Sequence, residues 1–140
     1  MIQIINGPNL NLLGIREPHI YGSTSFESFI DELRKEFKDI EICDFQSNCE
    51  GHIVTAIQEA AANPRCEGII LNPAAYSHYS LAIADAIAAI NVPVIEVHIS
   101  NIHSREEYRK KSVTAERVKG VIAGCGLEGY RLALLYLLKK

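Results

Sequence analysis

A three-layer α/β sandwich built on a five-stranded parallel sheet is the fold class this sequence predicts, on three observations. Short apolar runs alternate with stretches of helical periodicity along the chain. Two of those runs, Gly68–Leu71 and Pro93–Val97, are apolar without clean alternation, the pattern of strands covered on both faces of a parallel sheet. The length, 140 residues, suits one domain (1–140) with a single sizeable core.

The elements follow in order. Ile2, Ile4 and Ile5 mark a first strand, Ile2–Asn6. A polar connection then runs to Gly22, far beyond the roughly 4 to 6 residues of an ordinary loop. Phe26, Phe29, Ile30, Leu33 and Phe37 recur at helical spacing behind Ser25, a suitable N-cap. A second strand spans Ile40–Gln46. Val54, Ile57, Ala60 and Ala61 predict a second helix that stops before Pro64. Gly68–Asn72 is the third strand, Leu81–Ile90 the third helix, closed by Asn91 and Pro93, and Val92–His98 the fourth strand. Gly120–Ala123 and Tyr130–Leu138 complete the pattern. Five such units have the size of a doubly wound, flavodoxin-like sandwich, and the chain has no internal repeat, low-complexity segment or linker.

Composition excludes several function classes. A net charge of −3 and a pI near 5.9 leave no electrostatic footprint for nucleic acid. No apolar run approaches the roughly 18 residues of a membrane span, and Leu81–Ile90 contains Asp85. A strand pattern beginning at Ile2 leaves no room for a signal peptide. Cys43, Cys49, Cys66 and Cys125 form no CxxC pair, as expected of reduced structural thiols in a cytoplasmic protein. Gly124-Cys125-Gly126-Leu127-Glu128-Gly129 spells GxGxxG. The acidic residue that the dinucleotide fingerprint needs about 20 positions on is missing, so tight strand–helix packing accounts better for the glycines. There is no P-loop and no nucleophile elbow. A phosphate-accepting receiver domain needs acidic groups where this chain has Asn6 and Asn72. His78, His98 and His103 lack a ligand spacing such as HExxH, which leaves metal binding a minor alternative.

Parallel sheets bind ligands at the carboxyl ends of their strands. Three such ends here are rich in acid–base and amide groups: Asn6 with Asn9 and the long loop, Asn72 to His78, and Glu96 to Arg109. The loop also sets Arg16 five residues before Tyr21, and a cation held beside a phenol favours the phenolate. The plain alternative is that Asn and Gly make turns there and that Arg16 and Tyr21 decorate the surface.

Asn6-Gly7-Pro8-Asn9-Leu10-Asn11-Leu12-Leu13-Gly14, Arg16-Glu17-Pro18-x-x-Tyr21-Gly22, Gln46-Ser47-Asn48, Asn72-Pro73-Ala74-Ala75-Tyr76-Ser77-His78 and Glu96-Val97-His98-Ile99-Ser100-Asn101 together resemble type II 3-dehydroquinate dehydratase, over essentially the whole chain. The resemblance implies a flavodoxin-like fold and a cytoplasmic enzyme that converts 3-dehydroquinate to 3-dehydroshikimate in the shikimate pathway of aromatic amino acid biosynthesis. It implies no cofactor, no metal, and trimers assembled into a dodecamer. It makes Tyr21 the base, Arg16 the lid arginine beside it, and Asn9 the holder of a water on the enolate oxygen. His98 becomes the general acid and Glu96 its orienting partner. Asn72 with the amides of Ile99 and Ser100 binds the substrate carboxylate, His78 and Arg109 hold ring hydroxyls, and Asp85 acts across the trimer interface. Cys49, where many relatives carry histidine, and Ile15 depart from the pattern without touching a proposed catalytic group.

The chemistry is coherent. Losing water β to a ketone needs a base for the α-proton, a stabiliser for the enolate and an acid for the hydroxyl. Bringing a tyrosine from its usual pKa of about 10 to about 7 takes roughly 4 kcal/mol of phenolate stabilisation, which a nearby arginine in a water-poor site can supply. Positions 96 and 98 share one face of a strand, so a Glu96–His98 contact is expected. Two other classes compete: a flavin- or nucleotide-binding module, for which Asn6-Gly7-Pro8-Asn9 lacks a phosphate-cradling character, and an assembly protein that uses the Ala-rich helix Leu81–Ile90. That helix is apolar almost all round, which predicts burial on more than one side, with a neighbouring subunit covering the second face and Asp85 its lone carboxylate.

Overall fold

The computed structural model describes residues 1–15, 17, 19 and 23–139. Five strands, β1 (Ile2–Asn6), β2 (Ile42–Gln46), β3 (Gly68–Asn72), β4 (Val94–His98) and β5 (Gly120–Ala123), form one parallel sheet in the order β2-β1-β3-β4-β5. Among the described residues four helices cover it: α1 (Phe26–Glu36), α2 (Glu50–Ala62), α3 (Leu81–Ala88) and α4 (Glu128–Leu137).

The sheet divides the core into two apolar layers. On one face Phe29, Ile30 and Leu33 of α1 and Tyr130, Ala133 and Leu134 of α4 pack on Ile2, Ile4, Ile70, Ile95 and Val97. On the other, Ile53 and Ile57 of α2 and Ile83, Ala86 and Ile87 of α3 pack on Ile5, Ile69, Leu71 and Val94. Consecutive strand residues therefore feed opposite layers, which is why β3 is buried at all five positions and reads as an unbroken apolar run.

Several boundaries differ from the sequence expectation, each for a local reason. β2 begins at Ile42 because the amide of Ile40 closes a turn onto the Phe37 carbonyl (3.2 Å). β4 begins at Val94, since Pro93 has no amide to place in a ladder and contributes only its carbonyl, to Ile69 N (2.9 Å). α2 starts a turn earlier than its apolar pattern, at Glu50, because its first residues, Glu50-Gly51-His52, carry no apolar signal. Ser25 caps α1 as expected, accepting the Ser28 amide at 3.2 Å.

The third helix keeps an apolar outward side within the single chain. In the single chain α3 is buried on one side only: Ile83, Ala84, Ala86 and Ile87 face the core, whereas Leu81, Ala82, Asp85, Ala88 and Ala89 are exposed. Asp85 is thus not a buried carboxylate within this chain. The outward side of α3 is nonetheless apolar, with Leu81 67 % and neighbouring Tyr79 63 % exposed.

The chain order reverses between β1 and β3, and their carboxyl ends lie side by side, Asn6 opposite Asn72. Backbones crowd there. A Cβ on Gly7 would sit 2.6 Å from the Pro73 carbonyl oxygen, so only glycine fits, and its amide bonds to Asn72 O at 2.8 Å. That reversal is where open α/β sheets open a crevice. Among the described residues no helix is long and apolar enough to cross a membrane.

Candidate active site

A cleft opens above the ends of β1, β3 and β4, lined by Pro8, Asn9, Leu10, Asn72, Ala74, Ala75, His78, His98, Ile99, Ser100, Ile102, Arg105 and Arg109. Seven of the sequence-predicted residues meet in it: Asn9, Asn72, His78, His98, Ile99, Ser100 and Arg109. Glu96 lies directly beneath His98. Asp85 is elsewhere, on the outward side of α3. Arg16 and Tyr21 lie outside the described residues. The stems of their loop converge, since a Cβ on Gly14 (φ +91°) would stand 3.0 Å from the Ser23 carbonyl oxygen.

The β1–β3 corner is held by a buried polar triad. Tyr130, on α4 and fully buried, donates its hydroxyl to Asn6 Oδ1 (2.8 Å) and accepts from Asn72 Nδ2 (2.9 Å). Burial pushes its phenol far above the ordinary tyrosine range, so it stays a donor. Asn72 Oδ1 in turn accepts the Ala74 amide (3.1 Å). These bonds set the orientation of the Asn72 amide and leave its second N–H for a ligand.

Asn9 has left-handed backbone, φ 69° and ψ −5°. Its amide donates to Asn48 Oδ1 (3.0 Å), which also accepts Gln46 Nε2 (3.1 Å), while Tyr76 donates its hydroxyl to Asn48 O (2.8 Å). The Gln46-Ser47-Asn48 string therefore acts on the β1 exit from the neighbouring strand end.

At the β4 end, His98 is 5 % exposed and donates Nε2–H to Glu96 Oε1 at 2.6 Å. Glu96 has no exposure and accepts two further hydrogen bonds, from Thr114 Oγ1 (2.7 Å to Oε2) and Ser112 Oγ (3.3 Å to Oε1). With Nε2 committed, Nδ1 is the ring atom left for a ligand.

His78 is the second histidine of the cleft. Its Nδ1 lies 2.7 Å from the Lys111 carbonyl, which can only accept, so Nδ1 carries the proton and Nε2 is an acceptor. Burial pushes its pKa below the ordinary histidine value, with smaller contributions from nearby His98 and Arg109, against the opposing pull of the Lys111 carbonyl. Arg109 donates Nε–H to Glu106 Oε2 (2.7 Å) and lies over the Tyr108 ring, 5.2 Å from its centroid. Arg105, with Nη1 3.4 Å from Ser100 Oγ, brings a second guanidinium to the same wall. Among the described residues no three His, Cys, Asp or Glu side chains gather as a metal site.

The sequence reading missed Tyr130, Thr114, Ser112 and Arg105. Tyr130 sits inside a helix pattern and scores as core. Thr114 and Ser112 lie in a connector without periodicity, and only the close approach of that connector to β4 reveals them.

The family model described as "Dehydroquinase class II" matches residues 1–138 of this chain. The chain belongs to the class II dehydroquinase family. A curated relative, a 3-dehydroquinate dehydratase of Clostridium botulinum, is 55% identical over 139 residues, 98% of this chain and 93% of its own length. The solved type II dehydroquinase of Propionibacterium acnes superimposes with a TM-score of 0.93 at 44% identity, covering 99% of this chain and 96% of that one. That of Butyrivibrio crossotus gives 0.92 at 50% identity, covering 98% and 96%. In this class II dehydroquinase chain, the strings that carried the family resemblance and lie in described residues sit at the β1, β2, β3 and β4 exits, and those of β1, β3 and β4 line the cleft.

Proposed function

We propose that the cleft carries out a proton abstraction and hydroxide loss divided between its two sides, with Tyr21 as base and His98 as acid. The chain is a 3-dehydroquinate dehydratase, a hydro-lyase that removes water from 3-dehydroquinate to give 3-dehydroshikimate in the shikimate pathway. The observation that carries the division of labour is the buried Glu96–His98 pair, whose free Nδ1 side belongs to the cleft shared by Asn9, Asn72, His78 and Arg109.

Tyr21, as phenolate beside Arg16, takes the proton from the carbon next to the ketone. The C–H electron pair forms the enolate C=C bond, the carbonyl π pair moves to the ketone oxygen, and a water held by Asn9 stabilises that oxygen. The enolate re-forms the ketone and expels the β-hydroxyl, which takes a proton from His98 and leaves as water. Proton return from Tyr21 to His98 resets both groups. Asn72 and the Ile99 and Ser100 amides hold the substrate carboxylate. His78 accepts a hydrogen bond from a ring hydroxyl at Nε2, with Arg109 beside it. No step needs a cofactor. Ultraviolet absorbance of the conjugated enone formed from 3-dehydroquinate tests the activity, and turnover is expected to survive exhaustive chelation. No enone from the pure chain defeats this reading.

The assembly we propose is a cytoplasmic homo-oligomer of trimers, extending to a dodecamer, with Asp85 reaching a neighbour's cleft. The exposed apolar side of α3 supports it: Leu81, Ala82, Ala88 and Ala89 are exposed on the same helix as Asp85. Asp85→Ala should lower activity more than it lowers the denaturation midpoint. Light scattering that finds a fully active monomer at assay concentration removes the in-trans role.

A further inference from the structure

Glu96 is a carboxylate without exposure, and such a group is tolerated only where donors converge on it. Of its three donors among the described residues, two come from a connector far along the chain that precedes β5. Thr114, itself fully buried, donates to Oε2 at 2.7 Å, and Ser112 reaches Oε1 at 3.3 Å while accepting the Ala115 amide at 3.0 Å. The same connector is pinned to the β3 exit, Val113 N to Ser77 O at 2.8 Å, and its Lys111 carbonyl takes His78 Nδ1–H at 2.7 Å. Four consecutive residues thus touch the supports of both cleft histidines.

We propose that Thr114, assisted by Ser112, is a positioning residue for the elimination: its hydroxyl fixes the Glu96 carboxylate, which fixes His98. The inference rests on the dehydratase reading above and deepens it. A carboxylate held by one oxygen can rotate about its last side-chain bond. Thr114 ties Oε2, which leaves Oε1 aimed at His98 Nε2 and sets the imidazole plane, so that Nδ1 faces the leaving hydroxyl. This side of the site is then built before substrate arrives. Thr114 is not among the residues lining the cleft, so its removal should act on the chemical step and spare substrate binding.

The test uses 3-dehydroquinate as substrate and two near-isosteric changes. Thr114→Val keeps the branched shape and removes the hydroxyl; Thr114→Ser keeps the hydroxyl and removes a methyl. Thr114→Val should lower kcat roughly 10- to 100-fold, with KM within about twofold of the parent. Thr114→Ser should restore most of the loss, and in a His98→Ala background Thr114→Val should cost nothing more. An unchanged kcat in Thr114→Val overturns the proposal, as does a serine variant as slow as the valine one, or losses that multiply with His98→Ala. Should Thr114→Val fail to fold, Ser112→Ala decides: a lower kcat at constant KM supports the clamp, and parental kcat overturns it. A parent chain without turnover defeats the dehydratase reading instead, so the two failures are distinguishable.

Discussion

The β4 end of the cleft and the loop leaving β1 are built on opposite plans. At β4, His98 and Glu96 are 5 % and 0 % exposed and rest on hydroxyl donors from a third segment, so each polar atom has its direction before a ligand binds. After β1, Asn9 is exposed and bonds through its backbone to Asn48, and the run to Gly22 carries its chemistry on residues separated by glycine and proline. A buried site commits geometry through hydrogen bonds that are costly to break. The described contacts after β1 are made by exposed backbone, whose hydrogen bonds cost less to break. On the proposed division of labour, the His98 side is therefore expected to be sensitive to remote packing, and the Tyr21 side to charge.

The largest expected effect breaks the loop side. Tyr21→Phe should reduce kcat and kcat/KM together by about 10²- to 10⁴-fold while substrate binding persists. Steady-state kinetics with a binding titration checks this, and near-parental kcat would return the base role to another group. Arg16→Ala sharpens the claim that this side works through charge. Losing the cation should shift the acidic limb of the kcat profile to higher pH and weaken binding. An unmoved limb with only KM raised would make Arg16 a substrate clamp.

Tyr130→Phe probes the buried plan. It strips partners from Asn6 Oδ1 and Asn72 Nδ2 in a dry corner, which should cost about 1–3 kcal/mol of stability in chemical denaturation. Because Asn72 then loses its orientation, KM should rise more than kcat falls. A variant as stable as the parent would show that the triad is not held as described.

The smallest effect is a pH dependence from His78. Its folded-state pKa lies below the ordinary value, so as pH falls the unfolded chain takes up this proton first. The stability tied to neutral His78 is present above about pH 6.5 and is lost as pH falls through the lower folded value. Denaturation midpoints at pH 7.5 and 5.5 should differ less in His78→Asn than in the parent. An equal difference in the two proteins would remove His78 as the source.

Local pattern in the chain determined the elements. Core strands alternate their contributions between two helix layers, so β3 had to read as continuous apolar sequence, and α1 announced itself through a stripe at helical spacing and its Ser25 cap. The cleft was legible because doubly wound sheets place ligands at strand ends, and Asn9, Asn72, His78 and His98 stand within a few residues of those ends. Contacts between distant segments were not legible. Tyr130 reaches Asn6 across 124 residues, and Thr114 reaches Glu96 from an aperiodic connector. The apolar outward side of α3 was legible, but composition does not say what surface covers it. Periodicity reports the solvent that a residue faces, a local property. Which donor satisfies a buried carboxylate depends on where the whole sheet brings the chain back, and tertiary structure alone decided that.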